Sequence, residues 1–320
     1  MHKTTGIPKL EIVIKRQSLF CVAIIALIYI VPTIALAQQV PDTLFRPVTT
    51  PPKYPPGKGP KVMIDEVHHN FHTSVNRFKP FALLLKRDGY NILRGEHPFT
   101  TDYLKTADIV VISNALNEKN LSNWTLPTPS AFTDEEIQSL KVWVEGGGSL
   151  FLIADHMPFP GNAEQLAAAF GFKFYNGFAL TEHVVFAPDL FCFANHRLQQ
   201  HEVTAGLDSI RTFTGQGFDI PPQAQPVLAL DEEFYMLMPE TAWVFNDDTP
   251  RLEGKGKYQG ATLQFGKGKV AVFGEAATFS AQIAQKLFKM GFNHENAKHN
   301  AQLALNVIHW LDEDELPTRD

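Results

Sequence analysis

Between residues 61 and 171, short apolar runs alternate with segments whose apolar residues recur at helical spacing. The apolar runs are Lys61–Val67, Tyr90–Leu93, Asp108–Ser113 and Ser149–Ala154. The segments with helical spacing are 74–87, 101–107, 133–145 and 162–170. Strands and helices that alternate with short turns favour parallel strands joined by right-handed crossovers. The pattern therefore predicts an α/β fold, a doubly wound and mostly parallel sheet with helices on both faces.

Beyond residue 171 the pattern changes to short strands and irregular loops without a clear helix. Within this stretch, Phe172–Tyr175, Ala242–Phe245 and Ala261–Gln264 have the composition of strands. We interpret residues 172–265 as a β-rich insertion. The core pattern then resumes with a buried strand at Lys269–Gly274 and a helix at Ala297–Leu311.

The first 37 residues carry four basic side chains and an apolar run that ends on Ala35-Leu36-Ala37. These features predict a secretory signal peptide, and hence an exported protein in the periplasm or medium, with an uncleaved anchor as the alternative. A cleaved chain would not insert into a membrane. Without residues 1–37 the chain has 28 − 4 = 24 basic and 34 − 1 = 33 acidic side chains, which gives a net charge of −9. So acidic a chain argues against nucleic acid as a partner, since phosphate binding depends on clustered Lys and Arg.

The rest of the chain divides at a proline-rich stretch. Residues 38–60 predict an extended linker, or an arm lying on the domain, because proline cannot sustain a helix or a central strand. Residues 61–312 then form the domain, and 313–320 a tail. Cys192 is alone once the signal peptide leaves, so we expect stability to come from an ordinary core without a disulfide.

Polar side chains gather where three of the predicted strands end. The first strand runs into His68, His69, Asn70 and His72, the fourth into Asp155 and His156, and the late strand into Glu275, and Asn114 follows the third strand. Ligands of open α/β sheets bind at the carboxyl ends of the strands, so these groups are candidates for one shared cleft.

Imidazole and carboxylate groups side by side suit general acid–base catalysis, and they equally suit a divalent metal. In the acid–base interpretation His69 or His156 is the base, Asp155 orients it, and Glu275 is the acid or a ligand anchor. His68, Asn70, His72, Asn114 and His294 are the candidate ligand-binding residues. The cofactor stays unknown, with a divalent metal as one alternative, because HHNFH is not an established metal-ligand motif.

Two further side chains are possible nucleophiles. Cys192 has apolar neighbours that favour a neutral thiol, and Ser280 follows Glu275 where a capping or packing role is expected. Neither lies in a G-x-S-x-G or G-x-C-x-G turn.

Five segments of the chain are informative when taken together: DEVHHNFHT, RFKPFALLLKRDGY, WVEGGGSLFLIADHMPFPGNAEQLAAAFGF, GKVAVFGEAATFSAQ and NAQLALNVIHWL. Their combination resembles an uncharacterised family of bacterial exported proteins whose domain is similar to class I glutamine amidotransferases. Gly146–His156 is also similar to the ThuA-like branch of that superfamily. The resemblance implies a flavodoxin-like domain. True amidotransferases place a cysteine on a tight turn after a central strand, whereas here Asp155 and His156 end the comparable strand.

These observations predict a hydrolase that acts on a carbohydrate or another small polar ligand, and not a glutamine amidotransferase. The alternative, which the same resemblance supports, is a non-catalytic ligand-binding or scaffold domain of an envelope assembly.

Overall fold

The computed structural model describes residues 39–182 and 187–313. The predicted signal peptide and all of the predicted tail except Glu313 lie outside these ranges. The strands are β1 Gln39–Pro41, β2 Lys61–Asp65, β3 Asn91–Gly95, β4 Ile109–Ser113, β5 Ser149–Ile153, β6 Lys173–Phe174, β7 Phe178–Leu180, β8 Asp189–Cys192, β9 Ser209–Thr212, β10 Phe218–Asp219, β11 Gln225–Ala229, β12 Tyr235–Leu237, β13 Arg251–Glu253, β14 Tyr258–Phe265, β15 Gly268–Phe273, β16 Ala281–Ala284 and β17 Phe288–Gly291. The α-helices are α1 Lys79–Arg87, α2 Thr101–Leu104, α3 Asp134–Glu145, α4 Phe159–Ala169 and α5 Asn300–Asp312.

A nine-stranded sheet forms the centre of the described chain. Five neighbouring strands, in the order β3-β2-β4-β5-β15, are parallel. Numbered by their order along the chain, these five strands lie 2-1-3-4-5, which is the flavodoxin-like arrangement. The predicted fold class, a flavodoxin-like and mostly parallel sheet, is therefore confirmed.

Helices cover both faces of this sheet because its strands are apolar on both sides. Val62 and Ile64 of β2 face a core that includes residues of α1 and α5, whereas Met63 faces a second core that includes residues of α2, α3 and α4. This alternation follows from the two-residue period of a strand.

Local sequence signals explain where the main helices begin. Thr133 and Glu136 form a capping box at the start of α3, as predicted. Helix α1 begins at Lys79, later than the predicted 74, because backbone hydrogen bonds from Asn76 and Phe78 to the Thr73 carbonyl fold residues 73–78 into turns. Helix α4 begins at Phe159, earlier than the predicted 162, since Pro160 fits the first turn of a helix.

The predicted insertion, residues 172–265, extends the central sheet. Strand β14 pairs antiparallel with β15, and β10, β6 and β11 continue from it. The predicted strand at Ala242–Phe245 is wrong. These residues form a turn and loop, in which Trp243 has a left-handed backbone (φ 67°) that an extended strand cannot contain.

The segment before β2 lies on the domain, which is the second of its two predicted alternatives. Strand β1 pairs antiparallel with β16. Farther along, the Tyr54 hydroxyl donates to Asp312 at 2.5 Å, and Lys53 forms an ion pair with the same carboxylate at 3.1 Å. We call residues 39–60 the N-terminal arm. None of the helices in the described ranges is both long and apolar enough to cross a membrane.

Candidate functional site

The carboxyl ends of β2, β4, β5 and β15 meet at one edge of the sheet, where most of the predicted site residues lie. Between β2 and β4, where the strand order reverses, the loop after β2 fills the crevice. Leu116 donates its backbone N–H to the His68 carbonyl, and Phe71 donates to the Asn114 carbonyl, each at 2.9 Å. The other predicted site residues of this edge, Asp155, His156 and Glu275, follow β5 and β15.

His68 belongs to a buried ion-pair cluster. Its Nδ1 lies 2.9 Å from an Asp65 oxygen, and its Nε2 lies 2.8 Å from Glu136. Burial lowers the pKa of His68, but the hydrogen bonds and charges of Asp65 and Glu136 outweigh burial and raise it overall. Both ring nitrogens are occupied, so the structure gives His68 a role in joining the end of β2 to α3 in place of the predicted ligand contact.

The remaining residues of this loop point in different directions. The His69 side chain is 43% exposed, and its closest carboxylate contact is with Glu118 at 4.0 Å. Asn70 is buried and donates to Asp65 at 3.0 Å. His72 is buried against Gln282, with 3.2 Å between the two Nε2 atoms. Burial, reinforced by the positive charge of Arg77, and by that of His156 when its ring is protonated, holds the pKa of His72 well below its usual range.

Asn114 and Asp155 fix the turn after β5. Asn114 has a left-handed backbone (φ 52°), and its side-chain oxygen accepts the Asp155 backbone N–H at 2.9 Å. Asp155 in turn accepts the His156 backbone N–H at 2.8 Å. The carboxylate therefore positions His156 through its backbone; the predicted orienting contact with the ring is made by another group.

That group is the Met157 carbonyl, which lies 2.8 Å from Nδ1 of His156. A carbonyl can only accept, so Nδ1 carries the hydrogen and the neutral ring has its lone pair on Nε2. No residue in the described ranges forms a hydrogen bond with Nε2. Among the predicted histidines, His156 thus has the ring nitrogen best placed to act as a base.

Aromatic side chains surround the His156 ring, and we call them the aromatic rim. The ring stacks on Phe178 with 4.7 Å between centroids and 11° between planes, and it meets Trp243 edge-on at 4.7 Å. Phe159 and Trp124 follow at 5.8 and 6.0 Å. Phe178 is fully buried, whereas Trp243 is 51% exposed. The aromatic rim is therefore exposed to solvent at Trp243 and buried at Phe178.

Glu275 and Asp155 are two buried carboxyl groups whose charges influence each other. Glu275 is 2% exposed and accepts the backbone N–H groups of Ala277 at 2.7 Å and Thr278 at 2.8 Å, together with the Thr278 hydroxyl. Burial and the neighbouring Asp155 carboxylate raise the pKa of Glu275 to about 8. The Glu275 carboxyl group therefore favours its neutral form more strongly than an exposed glutamate does.

The other candidate residues lie elsewhere. His294 is half-buried beside Phe213, and its Nδ1 accepts the Asn296 backbone N–H at 3.1 Å. Ser280 is fully buried and donates to the Arg77 carbonyl, as expected for a packing serine. Cys192 is a free, half-buried thiol at the end of β8.

The histidine loop does not gather metal ligands. Among residues 39–182 and 187–313, no three His, Cys, Asp or Glu side chains are grouped so that they could hold a metal ion. The physical reason is visible in the loop, where His68, His69 and His72 have separate partners.

Sequence reasoning missed the aromatic rim. Trp124 lies in a long loop, Phe178 in β7 and Trp243 in the turn that had been predicted as a strand. These segments are far apart in the chain and carry no common motif, so only their folding onto His156 identifies them. The one available signal was the clustering of large aromatics in polar loops.

Comparison with known proteins supports the fold. No family model matches this chain, and no curated protein matches it. Among solved structures, the mmIFT52 N-terminal domain is similar with a TM-score of 0.57 and 14% identity, covering 80% of this chain and 99% of that domain.

Two other solved structures are less similar. A protein described as ThuA-like from Bacteroides uniformis ATCC 8492 has a TM-score of 0.46 and 12% identity, covering 83% of this chain and 96% of that one. Exo-beta-1,4-mannosidase Op5Man5 from Opitutaceae bacterium strain TAV5 has a TM-score of 0.42 and 14% identity, covering 81% of this chain but 37% of that enzyme. At such identities a likeness shows the fold alone. The chain is thus a flavodoxin-like α/β protein with a histidine, a carboxyl pair and an aromatic rim at the carboxyl edge of its sheet.

Proposed function

We propose that the protein is a hydrolase that removes an ester-linked group from a carbohydrate or a similar small polar ligand. The observation that carries this proposal is the free Nε2 of His156 within the aromatic rim. A fixed imidazole with an available lone pair, beside a partly open aromatic wall, is suited to activate a water molecule next to a bound ring.

In this mechanism His156 Nε2 takes a proton from water as the water oxygen attacks the ester carbonyl carbon. The resulting imidazolium then gives that proton to the departing alkoxide. Met157 holds the ring through Nδ1, and Asp155 holds the backbone of His156. Glu275 acts as a positioning residue, since it is too buried to touch a ligand.

An ester is a better target than a glycosidic bond for a geometric reason. Most glycosidases flank the scissile bond with two carboxyl groups that face each other across it. Here Asp155 and Glu275 are both buried and are close enough for the charge of Asp155 to raise the pKa of Glu275. The aromatic rim supports a sugar-like ligand, because flat aromatic walls with a few polar groups are typical of small-molecule sites.

The test is ester hydrolysis by the purified protein, with acetylated oligosaccharides and p-nitrophenyl acetate as substrates. His156→Asn keeps a donor for the Met157 carbonyl but removes Nε2, so we expect kcat/KM to fall by about 100-fold or more with little change in Tm. His69→Asn is the matched control, since that ring is exposed, and it should keep full activity. Unchanged hydrolysis by His156→Asn would show that another group is the base.

A second function, ligand binding without turnover, is favoured by Trp243, a large aromatic side chain that is 51% exposed beside His156. The same experiment separates the two. Binding of oligosaccharides that Trp243→Ala abolishes, with no hydrolysis of any ester by the wild type, would establish the binding function.

A further inference from the structure

Two arginines near the core differ in how their charge is neutralised. Arg197 is 5% exposed and is paired with two carboxylates, Asp231 at 2.6 and 2.9 Å and Glu233 at 2.5 Å. This arrangement is usual, because a guanidinium withdrawn from water needs a counter-ion.

Arg77 is partly buried without such a partner. Its guanidinium carbon lies 3.8 Å from the centre of the Phe71 ring, and its Nη1 donates to the Phe71 carbonyl at 3.2 Å. Its Nε is completely buried and has no hydrogen-bond partner in the described chain. Of the carboxylates in residues 39–182 and 187–313, none forms an ion pair with Arg77. Burial lowers the pKa of Arg77, as expected for a charge that is not compensated.

The position of Arg77 is fixed by the fold. The Ser280 hydroxyl donates to the Arg77 carbonyl at 2.5 Å, which ties the loop after β2 to the turn after β15. The stacking on Phe71 then fixes the guanidinium. An arginine held in this way keeps its remaining N–H groups in a fixed fork, the geometry that matches a carboxylate or a phosphate.

Arg77 also lies next to the aromatic rim. The Phe71 ring on which it stacks contacts Trp124 at 5.7 Å and Phe159 at 5.5 Å, and both of these rings contact His156. His72 is close enough to Arg77 and to His156 for both charges to act on it. Two aromatic rings, Phe71 and then Trp124 or Phe159, therefore separate Arg77 from His156, and a ligand that contacts both residues must extend across them.

We propose that Arg77 is a specificity-determining residue that binds an oxyanion, either a carboxylate or a sulfate or phosphate group, carried by the ligand of the His156 site. The ligand supplies the counter-ion that the protein lacks, and its contact is with the terminal nitrogens of the Arg77 guanidinium, because Nε is completely buried. The location of the ligand rests on the proposed function, but anion binding itself needs no turnover.

The test compares thermal melting of wild type and Arg77→Gln in sodium glucuronate, sodium sulfate and sodium phosphate, with sodium chloride at equal ionic strength and with neutral glucose. Sulfate and phosphate also raise Tm without specific binding, so the measured quantity is the difference between the two proteins. We expect an additional rise for wild type in at least one oxyanion, and no such rise in glucose. Comparison of the rise in glucuronate with the rises in sulfate and phosphate identifies which group is preferred.

Arg77→Gln also has a stability readout. A structural arginine destabilises the protein when it is removed, whereas removal of an uncompensated charge should leave Tm in chloride equal or higher. Arg211→Gln is the matched control, because Arg211 also has a buried Nε without a partner but lies on β9 beside the Pro188 carbonyl. It should keep the oxyanion-dependent rise.

Equal rises in wild type and Arg77→Gln, or no extra rise of wild type in any of the three oxyanions, would overturn the inference. These outcomes are distinct from failure of the proposed function. An oxyanion-dependent rise without ester hydrolysis supports Arg77 and contradicts the hydrolase. A different outcome contradicts the Arg77 inference alone. In it, hydrolysis depends on His156, but wild type and Arg77→Gln prefer charged over neutral esters to the same degree.

Discussion

At the scale of single residues, the carboxyl pair of Asp155 and Glu275 is the feature with the largest expected effect on pH dependence. Glu275 accepts hydrogen bonds from backbone N–H groups and a hydroxyl, and these bonds lower its pKa. Burial and the charge of Asp155 have the larger effect, so the pKa of Glu275 is raised overall. Two carboxyl groups in such proximity cannot both ionise without a large repulsion.

This pair gives a prediction with a definite sign. The folded pKa of Glu275 is raised above its unfolded value, so its contribution to stability is full below the unfolded pKa and is lost as pH rises through about 8. For one group the slope reaches about 1.4 kcal/mol per pH unit. Asp155→Asn removes the neighbouring charge and should reduce this loss. Urea unfolding at about pH 5 and about pH 8 gives the loss in the free energy of unfolding between the two pH values. An equal loss in wild type and Asp155→Asn would contradict the coupling.

The same scale shows what could be predicted of the site. Asp155, His156 and Glu275 were identified from their positions after buried strands, and the structure places them together. His68 was expected in the same cleft, but Glu136 and Asp65 hold it in a buried cluster. Glu136 lies 68 residues along the chain, and a contact over such a separation leaves no trace in a local pattern. Side-chain direction at a strand end is decided by partners that the sequence does not reveal.

At the scale of elements, the N-terminal arm shows how closely a segment without helix can pack. Its central part lies over Gly89, the residue that ends α1 with a left-handed backbone (φ 94°). A Cβ at Gly89 would collide with the Tyr54 carbonyl of the arm. The glycine is therefore required both by its backbone conformation and by the arm.

Gly89→Ala tests this packing against Gly206→Ala. Both glycines have a left-handed backbone, but a Cβ at Gly206 meets no atom within 4 Å. Gly206→Ala should lower the free energy of unfolding by about 1 kcal/mol through backbone strain alone. Gly89→Ala should cost about 1–3 kcal/mol more, because the arm must move. Equal losses in urea unfolding would mean that the arm is not held against Gly89.

Helices and strands that have a strong local sequence signal were predicted well, whereas short strands that depend on their pairing partners were not. The capping box placed α3, and the continuous apolar run placed β5 within one residue. The hairpin of β16 and β17 and the strand β1 were missed. These short strands are specified by pairing with each other rather than by their own composition, and Phe288 and Lys289 on β17 are exposed. Propensity is a weak guide where pairing decides.

At the scale of the whole molecule, the parallel core could be predicted because most of its strands are buried on both faces and because its first four strands alternate with helices. The way residues 172–265 join the sheet could not, since β6, β10, β11 and β14 are antiparallel additions that close one side of it. That addition also carries Phe178 and Trp243 onto His156. The site is therefore made jointly by the predictable core and the unpredictable addition, which explains why its histidine was found and its aromatic rim was not.

The size of the core leads to a last prediction, which concerns the single cysteine of the described chain. Large apolar clusters cover both faces of the central sheet, so folding does not need a covalent cross-link. We expect the same Tm with and without dithiothreitol, even if the chain is exported to an oxidising compartment as its first residues predict. Cys192→Ser should change the free energy of unfolding by no more than about 1 kcal/mol, because the thiol is half-buried and free. A Tm that falls in dithiothreitol for wild type but not for Cys192→Ser would instead reveal a stabilising disulfide between two copies of the chain.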